Sequence, residues 1–263
     1  LEERSEEFAR LDCLDMGKPY REAQADVDDA VHCFRYYASL IKTPHGGCYD
    51  VNYGFGEMHS YTVHEPVGVC AEITPWNYPL LMGVWKLAPS IAAGSRIIIE
   101  ESIKDEFIKR LVKKANAITI GNPMDNPDMG AMVSKSHMEK VLAYIEKGKE
   151  EGAKLVCGGE RYTEGECAKG YFIRPTVFDE CTDDMTIVKE EIFGPVVTVQ
   201  TFKTEQEAID MANNTPYGLA GAVFTSDISR AMHVIKEIRA GITWINCYNP
   251  TFNEAPWGGY KMS

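Results

Sequence analysis

Hydrophobic positions recur at helical spacing near the start of the chain and alternate with polar ones further along it. Between residues 23 and 42 the apolar side chains follow three- and four-residue steps, which predicts one packing helix. Residues 43–56 contain one proline and four glycines and are interpreted as a loop. The alternation over residues 60–69 predicts an exposed strand, and a more buried strand follows over 68–73. Residues 79–93 return to helical spacing.

From residue 95 onward, strand and helix patterns alternate regularly. Strands are predicted over residues 96–99, 153–157, 171–178, 196–202, 219–225 and 241–246. Helices are predicted over residues 103–118, 136–151, 204–213 and 226–239. Capping-box sequences beginning at Ser136 and at Thr204 set the start of two of these helices. This alternation is typical of an α/β fold with a mainly parallel sheet.

Charge and composition exclude several classes of partner. The chain has 27 Lys plus Arg against 39 Asp plus Glu, a formal net charge of -12, which disfavours nucleic acid and anionic membranes as partners. No apolar run approaches the roughly 20 residues of a membrane span, and the acidic first residues are unlike a secretory signal. The 8 cysteines include no Cys-x-x-Cys pair, so we expect reduced thiols and no zinc site built from Cys and His side chains. A cytoplasmic protein is predicted.

Three short blocks carry the most specific information. They are Ile-Thr-Pro-Trp-Asn-Tyr-Pro at 73–79, Lys-Glu-Glu-Ile-Phe-Gly-Pro at 189–195 and Ala-Pro-Trp-Gly-Gly-Tyr-Lys at 255–261. In this order they resemble the aldehyde dehydrogenase superfamily, and residues 63–94 and 95–263 are both similar to its betaine-aldehyde-type members. The resemblance implies an α/β fold with a mainly parallel catalytic domain and an incomplete, Rossmann-like NAD-binding domain.

The junction between Gly94 and Ser95 departs from the family pattern. In the family, a domain-sized segment would follow, carrying a Gly-rich nucleotide turn, a Glu-Leu-Gly-Gly-Lys block and a Gly-Gln-x-Cys nucleophile loop. None of these motifs occurs in this sequence, and we expect that the chain has lost an internal segment and both ends. By resemblance, the chain divides into an incomplete NAD-binding portion at 1–94 with an oligomerisation strand near 60–69, a catalytic portion at 95–246, and a tail at 247–263 that lines the substrate pocket.

The resemblance assigns cofactor binding to two of the blocks. The residues concerned are Ile73, Thr74, Pro75, Trp76, Asn77, Glu191 and Phe193. Asn77 would also be catalytic, because its side chain would donate a hydrogen bond to the oxyanion. Glu191 would bind the nicotinamide ribose hydroxyls, and Phe193 would pack against the nicotinamide. The expected cofactor is NAD, with NADP not excluded.

Each of these residues also has an ordinary structural interpretation. Asn77 is a favoured helix-capping residue. Glu191 lies in a run of charged residues that is typical of a solvated surface, and Phe193 precedes a Gly-Pro turn, where a core phenylalanine is common. The two interpretations stay open at the level of the sequence.

The expected substrate follows from three aromatic residues. Aromatics at matching positions enclose the trimethylammonium group in betaine aldehyde dehydrogenases, and here they are Tyr78, Trp85 and Trp257. The alternative is that they are core residues. Lys86 matches a lysine of a catalytic polar relay, and Lys261 matches a position whose backbone contacts a monovalent cation. Both are equally interpreted as surface lysines.

The family chemistry oxidises an aldehyde through a thiohemiacetal on a cysteine, with hydride transfer to NAD and hydrolysis by a Glu-activated water. The resemblance therefore predicts a small-molecule aldehyde as substrate, betaine aldehyde or a related aminoaldehyde, and a homo-oligomer, dimer or tetramer. Because the nucleophile and base motifs are absent, we expect no turnover by this chain. The alternative function is an inactive family member that only binds or assembles. Cys247 is expected to be a buried thiol without a catalytic role.

Overall fold

The computed structural model describes residues 1–40, 48–52, 57–61, 95–247 and 258–263. A short 3-10 turn at Glu2–Arg4 leads into helix α1, Ser5–Met16, and helix α2 covers Tyr20–Leu40. Gly17 caps the C-terminal end of α1, and its φ of 87° lies in the left-handed region that glycine adopts without a steric cost. The two helices pack through small buried side chains, those of Ala9, Cys13, Ala23 and Val27.

A buried ion cluster lies between these two helices. Lys18, in the connection between α1 and α2, forms ion pairs with Asp12 of α1, at 3.3 Å, and with Asp26 of α2. The exposed fraction of all three residues is below a tenth. Burial is the largest cause that raises the pKa of Asp26 to about 6, and the attraction of Lys18 opposes it.

The helical pair contacts the segment of residues 124–130. The Sγ atom of Cys13 lies 3.3 Å from Sδ of Met124. The backbone N–H of Arg21 donates to Oδ1 of Asn126 at 2.8 Å. The carbonyl of Gly17 approaches Gly130 so closely that a Cβ at residue 130 would lie 1.9 Å from it, which leaves room for glycine only.

A hairpin follows the helical pair in sequence. Strand β1, Cys48–Asn52, pairs antiparallel with strand β2, Glu57–Tyr61. The prediction of a loop over residues 43–56 is therefore wrong at 48–52, because cross-strand pairing overrides the glycine-rich composition. The predicted strands over 60–69 and 68–73 lie outside the described residues except at 60 and 61, as does the predicted helix over 79–93.

The central sheet has four strands in the order β3-β6-β5-β4. They are β3, Ser95–Glu100; β4, Lys154–Cys157; β5, Thr176–Asp179; and β6, Val196–Phe202. Strands β3 and β5 run parallel to β6, and β4 runs antiparallel to β5. The prediction of a mainly parallel sheet is thus confirmed for this central sheet.

Helices cover the two faces of this sheet. On one face, Met138, Val141 and Ile145 of helix α3, Lys135–Glu150, pack with Phe178 and Val196. On the other face, Ala115 of helix α4, Lys104–Ala117, packs with Ile99, Val177 and Val199. Successive residues Val177 and Phe178 point to opposite faces, as the strand period of two requires. Because helices cover both faces of the sheet, its strands contain runs of apolar residues and not a simple alternation of apolar and polar ones.

The remaining α-helices and strands lie between residues 186 and 261. Helix α5 is Thr186–Lys189, α6 is Glu205–Asn213 and α7 is Ile228–Glu237; strands β7, β8, β9 and β10 are Tyr217–Gly218, Ala220–Val223, Ile242–Ile245 and Tyr260–Lys261. Strands β8 and β9 pair in parallel, and β10 pairs antiparallel with β7. In the described part of the chain, no helix is both long and apolar enough for a membrane span.

Two predicted helix starts have different outcomes. Thr204 caps α6, since its side chain accepts a hydrogen bond from the N–H of Glu207 at 3.2 Å. The predicted cap at Ser136 is wrong. Ser134 caps α3 instead, with its Oγ accepting from the N–H of His137 at 3.2 Å. Ser134 has the extended backbone that a cap needs, whereas Ser136 is already helical.

The predicted strand over residues 171–178 is shorter than expected. Strand β5 begins only at Thr176, because the preceding residues pair elsewhere. The N–H of Tyr162 donates to the carbonyl of Phe172, and the N–H of Arg174 donates to the carbonyl of Glu160. A local antiparallel connection therefore replaces the first half of the predicted strand.

Candidate functional site

The loop of residues 190–195 connects α5 to β6 and carries two of the predicted cofactor residues. It is anchored from below by Ile192, which is 2% exposed and belongs to the apolar cluster beneath α3. At its end, the carbonyl of Pro195 accepts a hydrogen bond from the N–H of Thr176 at 2.8 Å. The loop is therefore fixed at its centre and at its end.

Helix α3 holds the same loop from the side. Nε2 of His137 lies 2.6 Å from the carbonyl oxygen of Phe193, and the two rings are in an edge-on arrangement with centroids 6.0 Å apart. The hydroxyl of Tyr144 donates to Glu190 at 2.8 Å, and this bond is the largest cause that raises the pKa of Tyr144 to about 12. A Cβ at Gly194 would lie 2.7 Å from Cγ2 of Val141, so glycine permits the close approach.

Glu191 differs from its neighbours in the loop. Its side chain is exposed, and within the described part of the chain it makes no hydrogen bond. Desolvation by surrounding protein atoms raises its pKa, and the positive charge of Lys140 partly offsets this. The carboxylate nevertheless remains accessible to water, which screens its charge.

The acceptor oxygens of Glu191 fit its predicted role. A carboxylate offers two acceptor oxygens, and a vicinal pair of ribose hydroxyls offers two donors. The aromatic ring of Phe193 is half-buried two residues later. The residues present are thus chemically suited to the ribose and nicotinamide of NAD.

Most of the other predicted site residues lie outside the described part of the chain. These are Ile73, Thr74, Pro75, Trp76, Asn77, Tyr78, Trp85, Lys86 and Trp257. The oxyanion donor, the polar relay and the aromatic box therefore stay predictions. The described structure brings Glu191 and Phe193 together in one loop, as their spacing requires.

Lys261 has a defined environment. Its Nζ atom donates to the carbonyl oxygens of Asn213, at 2.9 Å, and Thr215, at 3.0 Å. These carbonyls follow or end α6, where the helix dipole favours a positive charge. The ammonium group therefore holds strand β10 to the end of α6. The predicted contact of its backbone with a monovalent cation stays a prediction.

Five of the described cysteines have a raised pKa. Burial is the largest cause that raises the pKa of Cys13, Cys33, Cys157 and Cys167, and it raises that of Cys181 to about 11. A thiol with a raised pKa is a poor nucleophile at neutral pH. The prediction of a buried thiol at Cys247 is wrong, since Cys247 is exposed. It lies beyond the end of β9, where the alternation no longer buries the side chain.

The residues of α3 that hold the loop were not predicted from the sequence. His137, Val141 and Tyr144 occur at helical spacing, and His137 lies inside the sequence interpreted as a capping box. The signal that could have identified them is the four-residue step from His137 to Val141, which places both on one helix face. Among the described residues, no group of three or more His, Cys, Asp or Glu side chains is placed to bind a metal ion.

Comparison with known proteins identifies the class to which this fold belongs. The model of the aldehyde dehydrogenase family matches residues 1–99 and 92–263. The chain therefore belongs to the aldehyde dehydrogenase family, and the predicted family and fold class are confirmed.

Individual relatives are similar over nearly the whole chain. Betaine aldehyde dehydrogenase from Bacillus subtilis (strain 168) is 33% identical over 377 residues, covering 98% of this chain and 76% of the relative. Peroxisomal aminoaldehyde dehydrogenase 1 from Pisum sativum is 32% identical, covering 100% and 76%. The crystal structure of betaine aldehyde dehydrogenase from Staphylococcus aureus in complex with NAD+ is 32% identical, covers 99% of this chain and 75% of that chain, and has a TM-score of 0.92.

The alignment lengths bear on the unusual junction at Gly94. The alignment with the Bacillus subtilis relative spans 377 positions, and this chain has 263 residues. At least 114 aligned positions, the difference between these lengths, therefore have no counterpart in this chain. The two matches to the family model overlap at residues 92–99, which include Gly94 and Ser95.

Proposed function

We propose that this protein derives from an enzyme that catalyses the NAD-dependent oxidation of betaine aldehyde or a related aminoaldehyde. The loop of residues 190–195 is its nicotinamide-binding part. The observation that carries this proposal is the contrast within the loop. Ile192, Phe193 and Glu190 are held by protein contacts, whereas the Glu191 carboxylate is exposed and unbonded among the described residues. A fixed backbone that presents a free carboxylate is pre-organised to accept ribose hydroxyls.

The 263-residue chain by itself does not complete the reaction. Covalent aldehyde oxidation needs a thiolate nucleophile, and thioester hydrolysis needs a base. The sequence contains neither Gly-Gln-x-Cys nor Glu-Leu-Gly-Gly, and the buried cysteines have raised pKa values. Removal of a single catalytic nucleophile leaves only a residual rate, so absence of both groups should abolish turnover. NAD is favoured over NADP by the NAD+ complexes of the similar solved structures.

Two measurements test this proposal. The purified chain should bind NAD+ in calorimetry, and Glu191→Gln should weaken binding about fivefold or more, because an amide presents one acceptor where the carboxylate presents two charged ones. Glu190→Gln, at the neighbouring position bonded to Tyr144, is the matched control for charge. Equal affinity of the chain and Glu191→Gln would reject the ribose role.

The second measurement follows NADH formation with betaine aldehyde. We expect no signal above a control without enzyme. A signal that Cys247→Ala abolishes would show that the exposed thiol is a nucleophile and that the chain is active. The intact mass of the natively expressed protein complements this assay. A product much heavier than 29.4 kDa would show that the natural protein is longer than this chain and would favour the active enzyme.

The substrate class rests on Tyr78, Trp85 and Trp257. A quaternary ammonium group cannot donate hydrogen bonds and is attracted to ring faces. Choline should therefore quench the intrinsic tryptophan fluorescence of the chain, and Trp85→Leu should reduce this response. Equal quenching by sodium chloride at the same concentration would contradict a specific aromatic box.

An inactive member that only binds or assembles is the second candidate, favoured by the absent motifs together with the retained core. Its candidate surface is the strand near 60–69, of which the structure describes the start within β2. Light scattering coupled to gel filtration distinguishes a monomer from a dimer or tetramer. We also propose a cytoplasmic location, on the charge and cysteine pattern of the sequence.

A further inference from the structure

The backbone of Phe193 adopts a conformation that a residue with a Cβ atom seldom takes. Its φ is 58°, in the left-handed region. Glycine follows at position 194, but Phe193 itself carries the unfavourable angle. Such a conformation persists only where surrounding contacts hold it, and these sites are often functional.

Helix α3 supplies those contacts through one residue in particular. The carbonyl oxygen of Phe193 can only accept a hydrogen bond, so Nε2 of His137, 2.6 Å away, is the donor. Both the Nε2–H tautomer and the protonated ring carry this hydrogen. The ring of His137 also meets the ring of Phe193 edge-on, at an interplanar angle of 75°.

The position of His137 is fixed in turn by the start of the helix. Its own N–H donates to the Ser134 cap, and this backbone bond does not depend on the identity of the side chain at 137. One turn later, Val141 approaches Gly194 closely. A substitution of the His137 side chain thus removes the contact with Phe193 and retains the cap.

We propose that His137 is a positioning residue for the cofactor loop: its imidazole holds the Phe193 carbonyl, keeps Phe193 in its left-handed conformation, and so sets where the Glu191 carboxylate and the Phe193 ring stand. This inference rests on the proposed nicotinamide-binding role of the loop and extends it to a residue outside the loop. His137 acts through Phe193 and contacts no reacting atom.

The test separates the donor from the ring. His137→Gln retains an N–H donor and loses the ring, whereas His137→Phe retains the ring and loses the donor. His233→Phe, the same exchange at an exposed position of α7, is the control. Two quantities are measured for each: the backbone chemical shifts of Phe193 and Gly194, and the affinity for NAD+ by calorimetry.

We expect His137→Phe to shift the Phe193 and Gly194 resonances and to weaken NAD+ binding about fivefold to tenfold, the effect of one lost hydrogen bond. His137→Gln should restore the shifts and bring affinity to within about twofold of the parent chain. His233→Phe should change neither. Unchanged resonances in His137→Phe, or equal losses in both variants, would overturn the proposal.

Failure of the proposed function gives a different result. If the parent chain binds no NAD+, the nicotinamide role falls, and the backbone resonances alone decide whether His137 positions the loop. The thermal transition of each variant guards against a folding defect, since a loss of affinity in His137→Phe with an intact thermal transition cannot be attributed to unfolding.

Discussion

The helical pair α1–α2 and the sheet region of residues 95–247 bury different kinds of side chain. The pair is centred on small residues, Ala9, Cys13, Ala23 and Val27. The sheet region buries large ones, of which Phe178, Ile145 and Ile173 are at most 1% exposed. Hydrophobic stabilisation grows with apolar area, so the sheet region has the larger share of it and the helical pair depends more on other interactions.

Buried polar groups differ in the same way. In the sheet region, Gln200 bonds to Arg96 and Asp183, and Asp179 lies 3.0 Å from the ammonium of Lys104. In the helical pair, Oδ2 of Asp12 lies 3.3 Å from Lys18 but lacks hydrogen-bond geometry with any described group. One ammonium group there serves two buried carboxylates. Of these two regions, the helical pair is therefore the more sensitive to charge and pH.

The largest expected effect is in the core of the sheet region. Phe178→Ala should lower the free energy of unfolding by about 3–5 kcal/mol, because it removes a fully buried ring and leaves a cavity. Phe224→Ala, at a side chain that is 67% exposed, should change it by less than about 0.5 kcal/mol. Denaturant titration measures both. Similar losses would contradict the assignment of the core.

Removal of the shared cation should have the next largest effect. Lys18→Met should cost about 3 kcal/mol, because two buried carboxylates then lack a counter-charge. Addition of Asp26→Asn should recover part of this loss, which a double-mutant cycle measures. Arg35→Met breaks an exposed pair with Glu2 and should cost about 1 kcal/mol or less. A Lys18→Met loss as small as that of Arg35→Met would show that the buried cluster is not important for stability.

The buried cluster should also give the helical pair an unusual pH dependence. The pKa of Asp26 is about 6 in the folded chain, above the usual 3.8. A raised pKa means that the folded state binds the proton more tightly. The contribution of Asp26 to stability is therefore complete below about pH 4 and is lost as the pH rises through about 6.

The variant Asp26→Asn isolates this contribution. The unfolding free energy of the parent chain, minus that of Asp26→Asn, should fall by on the order of 2 kcal/mol between pH 4 and pH 7. Denaturant titration at a series of pH values gives this difference. A difference that rises with pH over this interval would show that the attraction of Lys18 exceeds the effect of burial.

The smallest expected effect concerns the start of α3. Ser134→Ala should lower the unfolding free energy by about 1 kcal/mol, because the N–H of His137 loses its partner. Ser136→Ala should have a smaller effect, since Ser136 is already inside the helix. Thermal unfolding compares the two. A larger loss for Ser136→Ala would restore the capping box that the sequence predicts.

The sequence determined the elements whose hydrophobic period is strong and whose neighbours in space are also neighbours in sequence. The strand predicted over 196–202 coincides with β6, and the helix predicted over 103–118 differs from α4 by one residue at each end. The three motif blocks also determined the family, because their order and composition are specific. These are properties that local patterns encode directly.

Tertiary structure decided what the local pattern does not contain. Helix α1 was not predicted, because its large side chains Leu11 and Leu14 are 56% and 66% exposed, while Ala9, Asp12 and Cys13 face α2. The contact of His137 with Phe193 joins residues 56 positions apart. The charge cluster at Lys18 likewise requires the packing of two helices. Burial and long-range contact, and not composition, define which polar side chains lose water and which backbone carbonyls find a donor.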